Sequence, residues 1–167
     1  MGLKYIPYKE LISGGYDTYS EEGAKLAEMC KRVDRLLNMI DEHFKDIARP
    51  LTTLHVGRAL DDEWTVSKER AEELRVHDPE ESWQEVPIEK LCIFQEYLCF
   101  ADDEGWRFYL PAFMRAFLLE FPDHGYVAVC SATKGNSDDR LNILNEEQRS
   151  CVAEFANLCQ DYEVWFP

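Results

Sequence analysis

The chain has 167 residues, 46% of them hydrophobic and 13% aromatic, which is enough apolar mass for one folded domain and excludes a chain disordered throughout. Its 33 acids against 18 Lys and Arg leave a formal charge of −15, a field that disfavours nucleic acid and anionic membranes, since both are recognised by cations meeting phosphate. The excess is local: Asp61 to Glu104 holds 15 acids and only 4 bases (Lys68, Arg70, Arg75 and Lys90), a net of −11.

In chain order, residues 1–19 carry Pro7, Gly14-Gly15 and several tyrosines with little periodicity, and are expected to form an irregular N-terminal arm. Ala27, Cys30, Val33, Leu37, Ile40, Phe44 and Ile47 recur at helical spacing, so a long helix is predicted from Ser20 as N-cap to about Ala48, with Pro50 as stop. A second helix fits Thr53 to Asp61, and a third Lys68 to Val76. Asp78-Pro79-Glu80-Glu81 offers a cap, a proline at N1 and a glutamate at N3, predicting a short helix from Pro79 that ends before Pro87. Pro87 opens another, with Ile88, Leu91, Cys92, Gln95 and Leu98 on one side.

The acidic triplet Asp102-Asp103-Glu104 leads into Gly105-Trp106-Arg107-Phe108-Tyr109-Leu110-Pro111-Ala112-Phe113. Proline lacks a donor and clashes inside a helix, so the expected arrangement is a helix starting near Leu110 with Pro111 in its first turn, in preference to a longer helix kinked there. Phe108, Leu110 and Phe113 are expected in the core, and Tyr109 at a position tolerant of truncation. Tyr126 to Cys130 is β-leaning, Lys134 to Arg140 reads as a polar loop, and Asn145 to Gln148 is a capping box opening a final helix that runs into an apolar tail, Val164-Trp165-Phe166. The fold class is therefore mainly α: one helical domain over residues 20–167, any strand limited to short pieces.

Six cysteines, Cys30, Cys92, Cys99, Cys130, Cys151 and Cys159, fall mostly in apolar stretches without Cys-x-x-Cys spacing. They are expected to be small core residues of a cytoplasmic protein. The first 20 residues lack the apolar centre of a signal peptide, and no apolar run reaches the roughly 20 residues that cross a bilayer.

Chemistry-bearing motifs are few. His55, His77 and His124 each lie near an acid, Asp61, Asp78 and Asp123, but none has the spacing of a zinc-binding helix, and no metal or cofactor is expected. There is no Gly-x-Ser-x-Gly elbow, and Gly14-Gly15 lacks the lysine of a phosphate loop. Arg107 and Arg115 are expected to pair with the carboxylates of the acidic triplet and fix its loop. The competing expectation sets Trp106 and Arg107 at the centre of an interface, where Trp and Arg dominate binding energetics.

Three stretches resemble a family of small, uncharacterised, mainly bacterial proteins known only as a domain of unknown function: Leu54 to Asp62, Ser82 to Pro87, and Phe100 to Ala112 with its Gly-Trp-Arg-Phe-Tyr-Leu-Pro-Ala core. The resemblance implies a fold and no activity. Function is therefore read from charge. The expectation is a non-enzymatic module that docks a basic protein, as immunity proteins and antitoxins do, through Glu80, Glu81, Glu85, Asp102, Asp103 and Glu104 with Trp106 and Arg107 beside them. The alternative is a hydrolase-type enzyme whose acid and base are distant in sequence, such as His55 with Asp61 or His124 with Asp123.

Overall fold

The computed structural model describes residues 5–120 and 138–165, and among them the fold is a single mainly helical domain without strands. The β-leaning Tyr126 to Cys130, the loop from Lys134 and the pair His124 with Asp123 lie outside the described residues. The helices are α1 (Tyr8–Ser13), α2 (Glu21–His43), α3 (Leu54–Glu63), α4 (Lys68–Arg75), α5 (Ile88–Ile93), α6 (Tyr97–Phe100), α7 (Asp103–Glu120), α8 (Asp138–Leu141) and α9 (Glu146–Trp165), with a single 3-10 turn at Trp83–Glu85.

Residues 1–19 were expected to be irregular, and Tyr8–Ser13 corrects this with a short helix. Its anchor is Asp34 on α2, which accepts from the Tyr5 hydroxyl at 2.5 Å and from the Tyr8 backbone N–H at 2.9 Å, while Leu11 buries against Ala27 and Cys30. Those few contacts suffice for the turn signals of the arm to be read as a docked helix.

The long second helix starts where its cap predicts, with the Ser20 hydroxyl accepting from the Gly23 N–H at 3.1 Å. It stops at His43, five residues short of the expected end. The reason is tertiary. The Gln148 side chain donates to the His43 carbonyl at 2.9 Å, and the buried Trp83 indole donates to the Phe44 carbonyl at 2.7 Å, so side chains distant in sequence cap the orphaned carbonyls. Alongside, α9 packs on α2, and Arg32–Asp161 (2.7 Å) and Arg35–Glu154 (2.5 Å) bridge the pair. The α9 cap forms as predicted: Asn145 Oδ1 accepts from the Gln148 N–H at 2.8 Å, and Gln148 Oε1 from the Asn145 N–H at 3.1 Å.

At the centre is α7. Trp106, Phe108, Tyr109, Leu110, Phe113, Met114 and Leu118 are all buried, so this helix is apolar on nearly every side, the pattern of an element surrounded by others. Pro111 stands in its interior, and the expected start near Leu110 is thereby corrected to Asp103. Asp102 sets the start, its Oδ1 accepting from the Gly105 N–H at 2.8 Å and its carbonyl from the Trp106 N–H at 2.8 Å. Burial worth roughly 1.5–3 kcal/mol per large side chain outweighs the roughly 3 kcal/mol cost of an interior proline.

Two glycines let Tyr97 lie in the core. Its hydroxyl donates to the Thr52 carbonyl, and its ring lies edge-on to Tyr109 at 4.9 Å. A Cβ at Gly105 would stand 2.1 Å from the Tyr97 hydroxyl oxygen and 3.0 Å from the Thr52 carbonyl, and one at Gly57 would stand 2.5 Å from the Tyr97 ring. Gly105→Ala should therefore lower stability by about 1–3 kcal/mol, as overpacking does, despite alanine's better helix propensity. Urea unfolding measures this, and a variant as stable as the parent would show that Tyr97 can leave its place.

Candidate functional site

Three features carry polar chemistry: the acidic surface, a buried polar cluster, and the polar pocket beside Arg107. The acidic stretch folds so that 13 of its 15 carboxylates are exposed. The exceptions, Asp78 and Glu80, are turned inward. Lys90 holds both, its Nζ lying 2.5 Å from Glu80 Oε1, 3.4 Å from Asp78 Oδ1 and 2.9 Å from the His77 carbonyl. The one base of α5 is thus consumed inside the fold.

The helix expected from Pro79 does not form, because Asp78 is drawn away as a fully buried anchor for α3. Its Oδ2 accepts from the His55 backbone N–H at 2.9 Å, and Oδ1 lies 2.8 Å from His55 Nδ1. Glu85 reaches back to the Glu81 and Ser82 N–H groups at 2.9 and 3.2 Å, making a 3-10 turn of the remaining residues. Burial works to raise the Asp78 pKa, but the His55 backbone and ring bonds outweigh it and hold the carboxyl below its ordinary value.

His55 and Asp78 form a dyad in which a buried carboxylate fixes the tautomer and tilt of a half-buried imidazole. The expected partner, Asp61, is not the one used: it follows His55 by more than a turn and is exposed at the far end of α3. The His55 ring is flanked by His77 at 5.2 Å and Phe94 at 4.7 Å, with the Arg58 guanidinium 3.9 Å above the Phe94 ring, and stays partly open to solvent. The dyad thus has an orienting group, Asp78, and a base, His55. The described residues hold no group of three or more His, Cys, Asp or Glu arranged for a metal ion.

The remaining candidates divide. Glu81 is exposed and lies 3.6 Å from Arg49, and Asp103 and Glu104 are exposed in the first turn of α7. Asp102 is occupied, its Oδ2 accepting from the Thr52 hydroxyl at 2.5 Å while Oδ1 caps α7. Trp106 is fully buried, which corrects its placement at an interface centre. Arg107 does not pair with the acidic triplet: it turns toward the C-terminal end of α2, into a polar pocket of about 500 Å³ lined also by Glu42, Lys45, Asp46 and Gln148, and its Nε is buried without a hydrogen-bond partner. Arg115 faces Asp41 at 4.0 Å instead of the triplet.

Compared with known proteins, residues 32–163 match the model of a Family of unknown function (DUF6714). The chain belongs to that family. No curated protein and no solved structure matches it. The family match runs from Arg32 in α2 to Glu163 in α9, and so includes the dyad, the acidic surface and the Arg107 pocket, while α1 and the first turns of α2 lie outside it.

Sequence reasoning missed three features here. Asp78 was read as a helix cap when it is the carboxylate that organises His55 and Lys90. Leu51 and Trp64 were passed over, yet they are among the most exposed large apolar side chains of the described residues, at 70% and 90%. A local signal existed for Trp64: it directly follows the acidic run Asp61-Asp62-Glu63 at the end of a helix.

The cysteines are mixed in placement. Cys30, Cys151 and Cys159 are buried as expected, burial pushing the Cys151 thiol up to about 12, but Cys99 is exposed and Cys92 only partly covered. No helix among the described residues is long and apolar enough to cross a membrane.

Proposed function

We propose that this chain is a non-enzymatic, cytoplasmic protein-binding module that docks a basic protein through its acidic face, in the manner of an immunity protein or antitoxin. One observation carries the reading: folding spends Lys90 internally and leaves 13 carboxylates between Asp61 and Glu104 facing solvent. Carboxylates concentrated without matching cations raise the association rate of a positive partner and suppress negative ones. The bases that remain there, Lys68, Arg70 and Arg75, are too few to cancel them, and Arg70 already faces Glu63 and Glu73 at 3.9 and 3.7 Å.

Glu81, Asp103 and Glu104 are the positions to test, since their substitution removes no internal bond of the fold apart from the loose Arg49 contact. Affinity capture from host extract with the parent and with Glu81→Lys/Asp103→Lys/Glu104→Lys should recover a basic protein with the first and much less of it with the second. Equal recovery by both would count against the reading.

The His55–Asp78 dyad supports a second reading, a hydrolase-type enzyme whose substrate approaches the outer His55 nitrogen. A broad hydrolase screen tests it, with turnover abolished by His55→Ala as the supporting result.

A further inference from the structure

Beside the acidic face runs an apolar groove between α3 and α4, about 420 Å³ in volume, with Leu51, Val56, Leu60, Val66 and Ala71 in its walls. Its apolar lining is partly open to solvent: Leu51 is 70% exposed and Leu60 39%. Thr52, also in the wall, donates to Asp102, the residue that caps α7 and precedes Asp103 and Glu104. Asp61, Asp62 and Glu63 follow Leu60 at the end of α3, and Glu72 lies in the α4 wall together with Lys68 and Arg75.

Trp64 adds an independent observation. It stands in sequence between two lining residues, Leu60 and Val66, with φ 62 and ψ −33, and the Thr65 N–H donates to the Glu63 carbonyl at 2.7 Å. This is a three-residue γ-turn of the rare, strained hand, held by a bulky residue whose ring is 90% exposed. An aromatic side chain kept in a disfavoured backbone conformation with nothing packed against it has no stabilising role in the free fold, and such strain gathers where binding occurs.

We propose that this groove is where the partner docks, and that the bound element is a Lys/Arg-rich amphipathic segment of another protein, its aliphatic face entering between α3 and α4 and Trp64 closing over it. The proposal deepens the protein-binding reading and rests on it. The occupant follows from the two chemistries side by side: an apolar trough that takes aliphatic anchors, and the flanking acids Asp61, Asp62 and Glu63 at the end of α3, with Glu72 in the wall, that take the cations of the opposite face. Lys68 and Arg75 in the α4 wall would pair with an acid on that side of the segment.

The test uses the full chain and a synthetic amphipathic peptide with leucine on one helical face and lysine on the other. One control replaces lysine by glutamate and another replaces leucine by serine. Amide shifts on adding the Leu/Lys peptide should concentrate at Thr52, Leu60, Val66 and Ala71, and both controls should bind about tenfold more weakly or worse, as loss of a central anchor or of charge steering does. Leu51→Glu and Leu60→Glu should weaken the Leu/Lys peptide by a similar factor, and Trp64→Gly should weaken it while raising the thermal midpoint of the free protein. Shifts centred elsewhere, equal binding of the leucine-free peptide, unchanged binding by the groove variants, or a concentration-dependent dimer that Leu51→Glu disperses would each overturn the proposal. If the groove variants bind normally while Asp103→Lys/Glu104→Lys does not, the groove falls and the acidic-face reading stands. If neither set changes binding, both fall.

Discussion

Phe108→Ala should cost about 3–5 kcal/mol of stability, as truncating a fully packed aromatic does, which would be a large part of the roughly 5–15 kcal/mol that holds a domain of this size together. Phe108 is fully buried on α7, its ring edge-on to Tyr109 at 4.9 Å, with no water-facing side into which the site could relax. Tyr109→Ala should be damaging on the same scale, contrary to what its phenol suggests, because Tyr109 is also buried and touches both Phe108 and Tyr97. Denaturant titration of the two variants decides this. A Phe108→Ala protein that unfolds at the parent's midpoint would mean that α7 is not the centre of the core.

The misjudgement of Tyr109 shows where sequence reading reaches its limit in this chain. Elements whose ends are made locally were legible: Ser20 accepts from the N–H three residues on, and the Asn145–Gln148 box closes as its residues require. Elements whose ends are made by distant groups were not. The second helix stops at His43 because Gln148 and Trp83 arrive from elsewhere in the chain, and α7 starts at Asp103 because burial on nearly every side overrides what Pro111 would impose alone. An exposed tyrosine and a buried one look alike until the neighbouring helices are in place.

The candidate site divides along the same line. The concentration of charge between Asp61 and Glu104 was plain from composition, and its exposure follows because an unpaired carboxylate cannot be buried cheaply. Which carboxylates the fold would consume was not plain. Glu80 and Asp78 go to Lys90 through contacts that no linear spacing specifies, whereas Glu85 and Asp102 are held by local bonds to N–H groups three or four residues away. The apolar groove escaped notice for a related reason: Leu51, Leu60 and Val66 belong to three different segments, and only the packing of α4 on α3 gathers them.

Asp78→Ala should be the most damaging change to a polar residue, costing about 3–5 kcal/mol, the scale on which loss of one member of a buried charged network is felt. Asp78 is fully buried, and its removal leaves the His55 N–H at the start of α3 without an acceptor, frees the His55 ring, and takes from Lys90 one of two carboxylates. Asp78→Asn should cost less, since an amide oxygen can still accept from His55. The loss should also depend on pH in a stated direction. The folded-state pKa of Asp78 is depressed, so its contribution is present in full above the unfolded value of about 3.9 and disappears as pH falls through the lower folded value. Parent and Asp78→Ala should therefore differ by a constant amount from neutrality to about pH 5, and the gap should narrow below about pH 4 as the parent's carboxylate is protonated. Urea unfolding of both proteins across that range measures it. A gap that widened in acid would mean that Asp78 is held protonated in the fold, and that His55 is oriented by something other than a carboxylate.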